Sequence, residues 1–175
     1  DGRRVFRASA HAALLTAAQQ QGWKADAAAE KFNVPAFYSL KEMLIAHPEI
    51  EVVHVTTSGF ENGSWHYDPT IEALDAGRHV LVEKPISNNI EEARFMVDYA
   101  AKKGLYLGCD LNHYFTGPAA DAKKMQLNGE VGELLYCVHK VGFNGSEATY
   151  NKMTAPRWQV PYSHLKAFCA HPFSV

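Results

Sequence analysis

The stretch Ala76-Gly77-Arg78-His79-Val80-Leu81-Val82-Glu83-Lys84-Pro85 decides how this chain is read. Gly77 closes a helix, because glycine takes the left-handed conformation of a helix end without a Cβ penalty. Val80 to Val82 is a short apolar run that predicts a buried strand. The strand delivers Glu83-Lys84-Pro85 at its carboxyl end. In open α/β sheets, ligands bind in the crevice beyond the carboxyl ends of the strands. A lysine fixed there by a strand and a proline is a candidate for chemistry; the alternative is a solvated surface lysine. A cis Lys84-Pro85 bond is expected, since an ordered cis proline marks a tight, constrained turn.

Upstream, Asp68-Pro69 opens the helix that Gly77 closes, by a cap followed by proline at the first helical position. Val52 to Val55 is a β-branched run broken only by His54, which predicts a buried parallel strand. Ser39 starts a helix with Glu42 at the capping-box position, and His47-Pro48 ends it. Asp26 to Phe32 reads as a helix broken by Asn33-Val34-Pro35. Ala8 to Gln21 reads as an alanine-rich helix ended by Gly22. Asp1 to Arg7 reads as a solvated arm, with a phosphate-binding role for Arg3, Arg4 or Arg7 as the alternative.

Downstream, Asn88 to Lys103 predicts a helix with Ile90, Ala93, Val97, Ala100 and Ala101 on one face. Leu105 to Cys109 predicts a third strand, and Gly117 to Asn128 another helix. Strands alternating with helices imply successive βαβ units, hence a parallel α/β sheet with helices on both faces. Glu133 to Phe143 is partly alternating and suits the opening strand of a second, antiparallel sheet.

The chain has 175 residues, enough for a sizeable core. Hydrophobic content of 47% and charged content of 21% are those of a globular protein. A net charge of −2 gives no electrostatic case for nucleic acid or an anionic membrane as partner. The sequence holds no apolar run of bilayer length and no signal-peptide pattern. Its three cysteines, Cys109, Cys137 and Cys169, lack metal-ligand spacing, so reduced thiols in a cytoplasmic protein are expected and no metal.

Glu83-Lys84-Pro85 behind Ala73-Leu74-Asp75-Ala76-Gly77-Arg78-His79-Val80-Leu81-Val82 closely resembles the signature of the Gfo/Idh/MocA family, NAD(P)-dependent oxidoreductases of sugars and cyclitols. The resemblance runs from about Ala25 to about Gly142, with a weaker echo near the C-terminus. It implies an incomplete Rossmann-like dinucleotide-binding domain over residues 1–115 and the start of an antiparallel α+β substrate or oligomerisation domain over 116–175. No G-x-G-x-x-G occurs in the sequence. That loop lays a pyrophosphate on a helix N-terminus. The chain therefore resembles a family member cut at both ends, and weakened NAD or NADP binding is expected. Asp26 reads as a helix N-cap or as a relic of the family's ribose-binding acid.

The resemblance also implies site residues. Lys84 takes the role of acid/base beside the nicotinamide, and Glu83 and Pro85 shape the nicotinamide wall. Thr56, Thr57, Ser58 and His66 fall in the loop where the family commonly has Thr-Pro-Asn and then His; simple turn chemistry is the other reading. Here Ser58 and Gly59 replace Pro-Asn, and Phe60 to Trp65 lengthen the loop. Asn112 follows the third strand as in the family's Asn-x-Arg-Phe element, with Tyr114 where arginine is usual; a strand-end turn is the alternative. His171 matches the histidine of Asp-x-x-x-His in the substrate domain, but Ala167 stands at the aspartate's place. Tyr162, His164 and Lys166 are polar neighbours in sequence, and a C-terminal tail is the competing reading. The expected function is oxidation of CH–OH in a sugar, cyclitol or related polyol by a homo-oligomer. The alternatives are a non-catalytic association module and a sugar-binding module using Trp65, Trp158 and the tyrosines.

Overall fold

The computed structural model describes residues 22–57, 63–136 and 138. In chain order the elements are α1 (Gly22–Phe32), α2 (Leu40–Ala46), β1 (Val52–Val55), α3 (Tyr67–Asp75), β2 (His79–Val82), α4 (Ile90–Lys103), β3 (Leu107–Cys109), a 3-10 turn (Asn112–Phe115) and α5 (Gly117–Leu127). The three strands form one parallel sheet in the order β1-β2-β3. Parallel neighbours need crossovers, and α3 and α4 supply them. This is the Rossmann-like α/β arrangement expected from the alternation of strands and helices.

The helix ends follow local chemistry. Ser39 caps α2 by accepting from the Glu42 N–H at 3.3 Å. Asn89 caps α4 in the same way, accepting from Glu91 N–H at 2.9 Å, and Gly104 closes it at φ +69°. Gly77, at φ +74°, ends α3, its N–H donating to Leu74 O and that of Arg78 to Ala73 O. The starts of α3 and α1 differ from expectation. α3 begins at Tyr67, with His66 at the cap position, so Pro69 sits within the first turn rather than opening it. Its missing N–H is harmless there, since the first four helical donors have no partner inside the helix. Gly22, expected to end a helix, is itself helical in α1. The helix expected over Ala8 to Gln21 lies outside the described residues.

The core gathers on one side of the sheet. Val53, Val55, Val80 and Val82 point inward to Leu40, Met43 and Leu44 of α2, Ala73 and Leu74 of α3, and Ala100 of α4. The alternate positions Val52, His54 and Leu81 are exposed. Hence β1 is half-buried rather than buried on both faces, and among the described residues the helices cover one face, not two. The buried face of α4 also differs: Met96 and Ala100 are buried, whereas Ile90, Val97 and Ala101 are exposed. Met96 and Ala100 are one turn apart and lie on the same face; the five-residue apolar set read from the sequence ran across the helix flank. Within Glu133 to Phe143, the described residues form no strand, and Leu134, Leu135, Tyr136 and Val138 are exposed. A strand needs a neighbour to satisfy its N–H and C=O groups, and no neighbour for it lies among the described residues. The rest of that segment lies outside them. No helix among the described residues is long and apolar enough to cross a membrane.

Candidate active site

The carboxyl ends of the three strands are level. Val55 pairs with Val82, and Val82 with Cys109. The pairing continues one step further, with Glu83 N–H donating to Val55 O at 2.9 Å and Asp110 N–H to Val82 O at 2.8 Å. Thr56, Glu83 and Asp110 therefore stand at the same edge, and Lys84 follows from the central strand. This is the edge at which open α/β sheets bind ligands.

Lys84 and Glu83 are half-buried. The Lys84-Pro85 bond is cis, as the sequence led us to expect. The Glu83 carboxylate turns back and accepts from the Lys84 main-chain N–H at 3.0 Å. Cys109 lies beside this pair. Burial pushes its thiol up to about 11; the Glu83 and Asp110 carboxylates push the same way, and the Lys84 ammonium opposes them. Glu83, Lys84 and Asp110 thus all lie near enough to Cys109 for their charges to act on its thiol.

The loop behind Lys84 is clamped from β1 and α3. His66 is 1% exposed, and its Nδ1 lies 2.7 Å from Pro85 O. A carbonyl only accepts, so the ring carries its proton on Nδ1. Burial lowers the pKa of His66, and the surrounding carbonyls of Pro85, Thr57 and Ile86 and the Glu83 carboxylate only partly offset it. Gly63, at φ +85°, packs against the Pro85 ring and carbonyl. Thr57 Oγ1 donates to Trp65 O at 2.6 Å, tying the end of β1 to the same loop.

Lys84, Glu83, Pro85, His66 and Thr57 are thus brought together. Thr56 is exposed at the end of β1, and Asn112 is exposed at the start of the 3-10 turn beyond β3. Ser58 and His171 lie outside the described residues, as do Tyr162, His164 and Lys166. His66, one of the expected cofactor-loop residues, is buried with its Nδ1 on Pro85 O. Sequence reasoning passed over Gly63 and Cys109. Asn62-Gly63 is a turn signal that could have drawn attention to Gly63; nothing local marks Cys109, whose setting comes from neighbouring strands.

The parallel sheet with its covering helices defines a Rossmann-like α/β domain. The chain belongs to the Gfo/Idh/MocA family: the model described as "oxidoreductase family, NAD-binding Rossmann fold" matches residues 2–111. D-glucoside 3-dehydrogenase of Escherichia coli K12 is 32% identical over 111 residues, 63% of this chain and 30% of the relative. Mouse trans-1,2-dihydrobenzene-1,2-diol dehydrogenase is 31% identical over 137 residues, 78% of this chain and 39% of the relative. Among solved structures, levoglucosan dehydrogenase in complex with NADH and levoglucosan superposes with a TM-score of 0.55 at 30% identity, over 63% of this chain and 29% of that one. The chain spans about a third of the length of these relatives.

Proposed function

We propose that this chain supplies the nicotinamide-facing part of an NAD(P)-dependent oxidoreductase that interconverts CH–OH and C=O in a sugar, cyclitol or related polyol, with Lys84 as its acid/base. The observation that carries this reading is the seat of Lys84, directly beyond the central strand of a parallel sheet and between the ends of the flanking strands. The substrates in the names of the D-glucoside and levoglucosan dehydrogenases support the polyol class.

The donor set suits one end of the cofactor. The hydroxyls of Thr56 and Thr57 and the amide of Asn112 match the hydrogen-bonding needs of a ribose and a carboxamide. A glycine-rich pyrophosphate turn is not among the described residues. When bound, the nicotinamide supplies the hydride acceptor or donor. In the oxidation direction, the amine of Lys84 takes the proton of the substrate hydroxyl, having first released its own to solvent. The Glu83 carboxylate, bonded to the Lys84 main-chain N–H, supplies negative charge on the same edge as the resulting ammonium. His171, by family resemblance, assists as a second acid/base or substrate ligand.

The test is turnover of a polyol panel with NAD and NADP, alongside NADH binding followed by fluorescence. Lys84→Ala should abolish turnover without changing the unfolding transition; retained turnover would exclude the assigned role. A second reading, an association module without turnover, is favoured by the exposed Val52 and Leu81 on the outer sheet face. A monodisperse oligomer by light scattering, with no NADH binding, would favour it.

A further inference from the structure

We propose that His66 is a positioning residue for Lys84: it acts through the Pro85 carbonyl, fixing the loop that carries the ammonium, and touches neither cofactor nor substrate. The inference rests on the acid/base reading of Lys84 and adds to it the group that holds that amine in place.

Three observations carry it. At 1% exposure, His66 has almost no surface left for a ligand. Its polar commitment is inward, with Nδ1 2.7 Å from Pro85 O. Its own main chain is fixed on both sides, its N–H donating to Gly63 O at 3.2 Å and its carbonyl accepting from Thr70 N–H at 3.2 Å. The ring is therefore a rigid strut between the start of α3 and the residue after Lys84. On the opposite flank, the Lys84 N–H donates to Glu83 Oε2 at 3.0 Å. The main chain of Lys84 is thus pinned before and after, and a side chain built on a pinned main chain delivers its terminal group to a narrower range of positions. Gly63 completes the packing: it leaves room for the Pro85 ring and carbonyl, and the histidine bonds that carbonyl.

The test needs no cofactor. The full chain is labelled by competitive reductive methylation with formaldehyde and borohydride, and the rate at each lysine is read by peptide mass spectrometry. His66→Phe keeps the bulk of the ring and loses the donor; His66→Asn keeps an N–H near the place of Nδ1. Lys84 should methylate several-fold faster in His66→Phe and return toward the wild-type rate in His66→Asn, while exposed Lys102 stays constant in both. An unchanged Lys84 rate in a folded His66→Phe would overturn the proposal. So would a fast rate in His66→Asn equal to that of His66→Phe, which would mean that the ring matters only as packing. His66→Leu replaces His66→Phe if the larger ring prevents folding, with the same two outcomes. The reading of Lys84 as acid/base fails separately, by turnover that survives Lys84→Ala, and leaves the labelling result standing.

Discussion

Gly63 and Pro85 are packed so closely that any side chain at position 63 would force one of them to move: a Cβ there would lie 2.9 Å from Pro85 Cγ and 3.1 Å from Pro85 O. The obstruction is ring and main chain rather than the end of a flexible side chain, and position 63 also has φ +85°. Gly63→Ala should therefore cost about 1–3 kcal/mol. The check is the urea midpoint, which falls at constant slope if only stability changes. An unchanged midpoint would mean that the loop repacks freely.

Lys84→Arg should be as inactive as Lys84→Ala, a loss of about 10²-fold or more in kcat. A base must lose its proton before it can accept one, and guanidinium does not do so in proteins. Turnover near the wild-type level in Lys84→Arg would show that the position needs only a positive charge.

His66 makes stability depend on pH. Its pKa is lowered from 6.5, chiefly by burial. Below 6.5 the unfolded chain binds a proton that the folded chain resists, so stability is complete above that pH and declines as pH falls toward the folded-state value. The carboxylates contribute to acid unfolding as well. The difference between wild type and His66→Asn isolates the histidine, and urea titrations at about pH 7.5 and pH 5 measure it. The wild type should lose more stability than the variant over that interval; equal losses would contradict the burial of the ring.

Cys109, with its thiol pushed up to about 11, should alkylate slowly in the folded protein. At about pH 8 only roughly one molecule in a thousand carries the thiolate, against a quarter for an ordinary cysteine. Iodoacetamide labelling followed at the Cys109 peptide checks this. Glu83→Gln removes a charge that raises the pKa, so it should speed the reaction.

The fold was largely legible because its signals are local. The β-branched run of β1, the apolar run of β2, the Ser39 cap and Gly77 act within a turn or two of sequence. The exposed outer positions were not legible: Val52 and Leu81 look like core residues in sequence, and only the placement of the covering helices shows which face is inward. The buried side of α4 escaped for a related reason, since Met96 and Val97 are neighbours in sequence and opposite in fate. Near the strand ends, the place of Lys84 just beyond β2 and its cis bond followed from a short motif, and the match to the family begins at residue 2, well before the motifs readable from about Ala25. The contact of His66 with Pro85 spans 19 residues and depends on tertiary approach, which no local pattern encodes.

The pleat of β2 also governs how the gene can vary. Successive side chains along a strand alternate sides, so one codon gained or lost between Arg78 and Glu83 would turn the ammonium toward the opposite surface and bring the carboxylate into its place. The spacing from Gly77 to Lys84 is therefore a counted interval. Changes of length in this lineage must be absorbed outside β2, in the connections between sheet and helices, where an added residue does not invert parity.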